Sequence, residues 1–509
     1  MKESNQRKSG AILSYVVIII NTLIQLLYTP LLIRMLGQSE YGLYSLVYSV
    51  IGYLTVLDLG FGNAIIVYTA KYRAENNIEK EKILHGMFKR IFVILGFLAA
   101  ILGLIIFFNI DNIFGTKMTS LELHKMKIMM LILSFNLFIT FAFNIYQAII
   151  SAYEKFTFQK IVSIINAIMK PIIMIPLLFL GFKSIALCIV ITIVNLIVVL
   201  SNYLYCKKSI KVNPKYHGFD KALFKTILGY SIWIFMAVIV DKANWSVDNF
   251  VLGAVSGTIA VSIYSIASTL NQMFISLSTA ISGVLLPKMS KLVAQNASSE
   301  VLTNEMIKVG RIQYYIIFLM CSGLVLFGKT FIRLWAGAGF EESYRVALLL
   351  IIPVCIPLIQ NLGISIMQAM NKFKFKAVST FIMAIFNIVI SIVLAKKWGA
   401  TGAAMGTTIA LIICNIFIIN IYYYKELKLN VIKFWKEIIK QTIPFILPIL
   451  TILLIMKLTN FTGVKSFIIY GGIYTLLFCL VSYFICMNKY EKDIINKVLI
   501  KFHLKKVQL

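Results

Sequence analysis

Acidic residues are scarce in this chain: 20 Asp and Glu stand against 49 Lys and Arg among 509 residues, and only 14% of positions are charged while 60% are hydrophobic. Soluble proteins of several domains average about a quarter charged and half apolar, so that class is excluded and a membrane class is left. The four histidines (His85, His124, His217, His503) all fall outside the long apolar runs, and no HExxH, Walker or glycine-rich phosphate-loop sequence occurs. Zinc hydrolysis and ATP-driven pumping by this chain alone therefore have no support. Seven cysteines are scattered without a CxxC pair, which argues against a disulfide framework or a zinc site and leaves them as small apolar packing residues. No secretory leader is recognised, because the run 11–33 is too long for an h-region and no small-residue cleavage site follows it.

What the chain does have is apolar runs of roughly twenty residues, each long enough to cross about 30 Å of hydrocarbon as a helix. The alternation expected of barrel strands is missing. The fold expected is an all-α polytopic membrane protein with about fourteen transmembrane helices, the second at 42–70, the fifth at 161–180, the tenth at 344–370 and the eleventh and twelfth at 377–395 and 400–424. A net charge of +29 would point to nucleic acid in a soluble protein. Here about 35 of the 49 basic residues fall in loops after even-numbered spans and at the two termini, so the positive-inside rule makes that side cytoplasmic and nucleic acid is not expected as a partner. Trp245, Trp335 and Trp398 near outer ends and Trp435 near an inner one read as interfacial anchors. After residue 487, Ile494, Ile495, Val498, Leu499 and Phe502 stand at helical spacing among lysines, as in an amphipathic helix on an anionic leaflet.

Two stretches recur in order. Leu43 to Ser49 (LYSLVYS) resembles Ser262 to Ser268 (SIYSIAS), and Ala152 to Phe158 (AYEKFTF) resembles Ala369 to Phe375 (AMNKFKF), at offsets of about 220 and 217. Spans 1 to 6 then correspond to spans 7 to 12, giving two pseudo-symmetric six-helix lobes at 1–210 and 211–425. A terminal pair at 426–487 and a basic tail at 488–509 follow. Six is even, so the lobes share one orientation, an arrangement known in alternating-access transporters.

The segment from Leu26 to Tyr72, LLYTPLLIRMLGQSEYGLYSLVYSVIGYLTVLDLGFGNAIIVYTAKY, resembles the opening of bacterial polysaccharide-export flippases of the Wzx type, relatives of the lipid II flippase MurJ and the MATE antiporters. VDNFVLG (Val247 to Gly253) and NKFKFK (Asn371 to Lys376) carry the resemblance further along the chain. It implies a central cavity between the lobes and translocation of an undecaprenyl-diphosphate-linked glycan from the inner to the outer leaflet. The bilayer is then one partner, and a polysaccharide polymerase and glycosyltransferases are the implied protein partners. A small-molecule antiporter of the MATE kind shares the fold and is the alternative. A membrane oligosaccharide polymerase or ligase would need a sizeable outer loop with catalytic residues, which is not found, so the chain is not expected to be an enzyme.

Asp58 in span 2 and Lys170 in span 5 lie at membrane depth, where a charge costs roughly 2.5–3.5 kcal/mol even on lenient scales. They pair with each other or with backbone as a buried bridge, or line the cavity with Lys170 attracting the lipid diphosphate, and the two readings are not exclusive. No cofactor is expected; coupling to protons or sodium would run through Asp58. The repeat offsets set Ser278 opposite Asp58 and Asn387 opposite Lys170, so the second lobe lacks both charges. Gly60, Gly62 and Asn63 follow Asp58, and the glycines are expected to let the backbone open or, more readily, another helix approach closely. Pro171 and Pro176 beside Lys170, and Pro353 and Pro357 in span 10, are expected to bend their helices. Asn136, Thr140, Asn144 and Gln147 form a polar stripe on span 4, and Ser265, Ser268, Gln272, Ser276 and Thr279 another on span 8, suited to helix packing or to a hydrated sugar. Arg34 with Asp241, Lys242 and Asp248, in the outer turn between spans 7 and 8, is the expected outer gate, or an ordinary set of solvated charges.

The topology makes its own prediction. Single cysteines placed in loops 71–90 and 207–225 should resist a membrane-impermeant maleimide on intact cells and react after permeabilisation; labelling on intact cells would invert the orientation.

Overall fold

The computed structural model describes residues 3–212, 214–216, 218–245, 247–282, 285–459, 463–493 and 496. Every regular element among them is a helix, as expected where a backbone in hydrocarbon must satisfy its own hydrogen bonds. The first half of the chain supplies α1 (Glu3–Leu36), α2 (Gln38–Leu54), α3 (Phe61–Ala74), α4 (Ile78–Phe114), α5 (Ser120–Ala152), α6 (Phe156–Phe179) and α7 (Ser184–Tyr205). The second supplies α8 (Lys221–Trp245), α9 (Val247–Val255), α10 (Thr258–Ser282), α11 (Leu286–Ala294), α12 (Ser299–Trp335), α13 (Glu342–Ile359), α14 (Leu362–Ala369), α15 (Phe373–Leu411) and α16 (Ile419–Lys425). Then come α17 (Val431–Thr442), α18 (Ile446–Leu458) and α19 (Gly463–Val481). Polar caps start several of them: the Asn77 side chain accepts from the Lys80 amide, Ser298 from Val301, and Asn430 from Lys433.

Twelve stretches among the described residues are long and apolar enough to cross a bilayer, and the chain is a multi-pass membrane protein. That number stands below the expected fourteen for two reasons. One stretch, Phe373–Lys425, runs for 53 residues, twice what a crossing needs, and leaves helical geometry at Trp398 and Gly399, between the eleventh and twelfth expected spans. The other reason is α8, 25 residues long at the position of the seventh expected span (226–244), which is not among the twelve.

The backbone repeats where the sequence does. Gly37 and Gly257 both take left-handed φ (82° and 84°), as do Asn76 and Asn296 (53° and 54°), and both pairs are separated by the longer offset of the sequence repeat. Further along, Glu154 and Asn371 (54° and 56°) and Lys211 and Lys428 (61° and 52°) match at the shorter one. Such positions are rare for residues other than glycine, so their recurrence at both offsets supports duplication of the whole helical plan.

Contacts gather the chain into two compact units, Met1–Ser265 with Asn387–Ala403 and Ile266–Phe386 with Ala404–Leu509. These follow packing density, whereas the lobes at 1–210 and 211–425 follow the repeat and stay a proposal. In the first unit α4 lies along α5, α6 along α1, and α7 against α5, with Phe61, Phe88 and Phe92 fully buried. In the second, α12 touches α13, α14, α17 and α19, and Phe318, Phe445 and Phe478 stack between them. A buried ion pair closes this unit: Arg311 donates to Glu491 through Nε at 2.5 Å and Nη2 at 3.0 Å, and Nη2 also donates to the Cys486 carbonyl. Trp335, expected as an interfacial anchor, is instead buried and stacked on Phe331 because α12 packs its last turn inward. The amphipathic face expected from Ile494 to Phe502 rests on residues outside the described ones.

The connector between the halves is pinned to α4. Lys89 donates to the Pro214 carbonyl at 3.4 Å, the Arg90 guanidinium lies 3.6 Å from the centre of the Tyr216 ring, and a Cβ on Gly86 would fall 2.0 Å from the Lys215 carbonyl oxygen. Gly86→Ala should therefore destabilise the protein by about 1–3 kcal/mol, the cost of overpacking, seen as a lower unfolding temperature in detergent; an unchanged temperature would mean the connector is not held there.

Candidate functional site

The second span is opened in mid-course. α2 stops at Leu54, a single 3₁₀ turn covers Thr55–Asp58, and Leu59 and Gly60 both turn left-handed (φ 52° and 73°) before α3 begins at Phe61. Gly60 thus opens the helix, one of the two uses expected of these glycines. The break sets Asp58 beside the N-terminus of α3, the positive end of its dipole. The carboxylate is half-buried and accepts a hydrogen bond from Asn144 Nδ2 of α5 at 2.9 Å. Gly62 lies against the pair: a Cβ there would sit 3.7 Å from Asp58 Oδ2 and 3.9 Å from Asn144 Nδ2. Asn63, one position on, is exposed.

Asp58 does not form the structural bridge with Lys170 that the sequence left open. Among the described residues Lys170 makes neither a hydrogen bond nor an ion pair. It sits half-buried on α6, four residues after Asn166, whose buried side-chain amide oxygen also lacks a partner among the described residues, and beside the prolines Pro171 and Pro176 inside that helix. Gln159, Ser163, Asn166 and Lys170 follow at spacings of four, three and four, which places them on one helical face. The spacing of this stripe is legible in the sequence, although the Lys170 charge is its stronger signal.

The stripe on α5 divides. Asn195 of α7 donates to Asn136 at 2.6 Å and to Thr140 at 2.8 Å, so these two clamp helices together. Asn144 serves Asp58, and Gln147 is exposed, with its backbone carbonyl taken by Gln159. On α10, Gln272 is exposed while its neighbour Asn271 is fully buried, with both amide atoms unpaired among the described residues.

The repeat reappears in the hydrogen bonds of the second unit. Asn361, the repeat mate of Asn144, donates at 3.5 Å to the Oγ of Ser278, the repeat mate of Asp58. Ser278 in turn donates to the Leu358 carbonyl and accepts from Gln313. Each half thus joins an asparagine to the middle of its second span, at a carboxylate in one and a hydroxyl in the other. Asn387, the counterpart of Lys170, accepts from Ser391, which also donates to the Ala403 carbonyl. The asparagine contact recurs in both halves, and the charges do not.

The expected outer gate needs correction. Asp248 is no outer-turn charge: it lies in the first turn of α9, 1% exposed, and accepts from the Tyr264 hydroxyl. Lys242 belongs to the last turn of α8, its Nζ 3.8 Å from where a Cβ on Gly52 would stand. Arg34 is exposed in the last turn of α1, and the side chain of Asp241 lies outside those described. A different polar group, which the sequence did not single out, gathers helix N-termini: Glu40 accepts from Lys125 and Ser184, and Glu122 from Ser39 and Thr258.

If Asn144 is placed to hold the Asp58 carboxylate, Asn144→Leu should cost about 1–3 kcal/mol, the penalty for orphaning a buried acceptor. Adding Asp58→Asn should then cost less than it does in the wild type. Strictly additive unfolding free energies in this double-mutant cycle would dissolve the pair.

Residues 8–293, more than half the chain, match the family described as polysaccharide biosynthesis protein. A Shigella flexneri protein assigned as an O-antigen transporter is 23% identical over 402 residues, covering 77% of this chain and 92% of that protein. The lipid II flippase MurJ in an inward closed conformation superposes with a TM-score of 0.71 at 20% identity, over 93% of this chain and 97% of MurJ. An inward-facing multidrug resistance MATE family transporter of the MOP superfamily superposes with a TM-score of 0.65 at 13% identity, over 81% and 99%. The fold is that of the MurJ and MATE transporters, and the chain belongs to the polysaccharide biosynthesis protein family.

Proposed function

We propose that this protein is a flippase that moves an undecaprenyl-diphosphate-linked oligosaccharide from the inner to the outer leaflet of the bacterial cytoplasmic membrane, both of its termini lying in the cytoplasm. The observation that carries the reading is Lys170, a cation at membrane depth with no protein partner among the described residues, at the end of a polar stripe on α6. An uncompensated cation in hydrocarbon costs roughly 2.5–3.5 kcal/mol, and a lipid-borne diphosphate is a counter-ion that would offset that cost on arrival and restore it on departure. The likeness to an O-antigen transporter and to MurJ supports a lipid-linked glycan as the cargo class.

In this mechanism the headgroup and sugars occupy the polar interior while the polyprenyl tail stays in lipid, and access alternates between the two sides. Moving negative charge outward against a negative interior gains about 2.3 kcal/mol per charge per 100 mV, enough to bias the cycle without ATP. Asp58, at the opening of the second span, is the group through which a coupled proton or sodium ion would act. A polymerase and glycosyltransferases would be its working neighbours. The antiporter alternative draws on the same carboxylate and on the MATE-like fold; loss of drug resistance on deletion of the gene, with surface glycan intact, would select it.

Lys170→Gln should abolish display of the glycan at the cell surface while leaving membrane insertion and unfolding temperature unchanged, with Lys170→Arg restoring part of it. Wild-type glycan display by the glutamine variant would remove Lys170 from the mechanism.

A further inference from the structure

We propose that Glu122 is a positioning residue that latches the outer ends of α2 and α10 together, and that transport requires this latch to open. The inference rests on the alternating-access reading and on the orientation that puts the turn before Thr119 outside.

Glu122 divides its two oxygens between two tasks. Oε2 stays with its own helix, accepting from the backbone and the hydroxyl of Thr119, both at 2.9 Å, in a capping box. Oε1 reaches across, accepting from Ser39 Oγ of α2 at 2.6 Å and from Thr258 Oγ1 of α10 at 2.7 Å. One atom therefore ties three helix N-termini, and hydroxyl-to-carboxylate bonds of this length are the strong kind. Neighbouring Glu40 makes a telling contrast, since its partners Lys125 and Ser184 both come from the first half of the chain, whereas Thr258 comes from the second.

The two helices that Glu122 joins are repeat mates. Each begins one residue after a left-handed glycine, Gly37 or Gly257. They meet backbone to backbone: a Cβ on Gly42 would fall 1.9 Å from the Thr258 carbonyl oxygen, so no other residue fits without separating them. Farther along, α2 packs on α9, where a Cβ on Gly253 would fall 2.7 Å from the Leu46 side chain and Asn249 donates to Ser49 at 2.9 Å. Where α2 meets the start of α10, the contact is backbone against backbone with two hydroxyl bonds to Glu122. Such a contact can part without repacking a core, as a reversible gate must.

The test is a reversible cross-link. Ser39 and Thr258 share one acceptor atom, so in the full-length double variant Ser39→Cys with Thr258→Cys an oxidant should form a disulfide, mapped by mass spectrometry. Export of surface glycan should stop on oxidation and return on reduction, the reduced form serving as the folding control. A fully cross-linked protein that exports at the wild-type rate would overturn the latch. A second measurement does not depend on the cargo: the rate at which Ser39→Cys reacts with an impermeant maleimide from outside should rise several-fold in a Glu122→Ala background and return toward the starting value with Glu122→Asp. No change in that rate would also overturn the proposal, whereas faster labelling in a protein that exports no glycan would keep the latch and retire the flippase reading.

Discussion

Hydrocarbon offers a peptide group nothing to bond with, and most of this architecture follows from that constraint. A chain with 60% hydrophobic residues crosses the bilayer only if each crossing satisfies its own backbone, which makes every regular described element a helix. The places where a helix opens are therefore the informative ones. At Thr55–Gly60 the opening is accompanied by Asp58 and its Asn144 donor. At Gln360–Asn361, between α13 and α14, it is accompanied by Asn361, Ser278 and Gln313. At Trp398–Gly399 the Ser391 hydroxyl reaches the Ala403 carbonyl. Polar side chains cluster where the helix alone no longer satisfies the backbone, and those clusters are where a polar cargo or a coupling ion can interact.

Duplication explains the framework and leaves the chemistry unexplained. The left-handed turns recur at both offsets of the sequence repeat, and so does the bond from an asparagine to the centre of the second span. What changed between copies is the acceptor: a carboxylate in the first, a hydroxyl held by Leu358 and Gln313 in the second. The Lys170 position likewise has a neutral counterpart bonded within its own helix. On the flippase reading proposed above, any step that depends on charge, whether binding a diphosphate or taking up a proton, would rest with the first half.

Hydropathy made the number and kind of elements nearly legible, because twenty apolar residues in a row have few alternatives. One described stretch of 53 residues covers the expected eleventh and twelfth spans and leaves helical geometry at Trp398 and Gly399, between them. Asp58 and Lys170 stood out for the same reason, as charges in the wrong solvent. Asp248 misled because its neighbours looked like a turn: only folding brings the Tyr264 hydroxyl to it and buries it. The capping box at Thr119–Glu122 could be read from spacing alone, but the second oxygen of Glu122 could not, because Ser39 and Thr258 lie 83 and 136 positions away.

By itself, then, the sequence determined the solvent this protein folds in, the helical nature of its elements and the identity of its two anomalous charges. These are local properties, set by each segment's transfer free energy. Tertiary structure alone decided which polar groups meet: that Asp58 takes Asn144 and not Lys170, that Lys170 is left without a partner among the described residues, and that Glu122 joins the repeat-related helices α2 and α10. Hydrogen bonds act over about 3 Å, and no pattern along a chain shows which distant residues packing will bring that close.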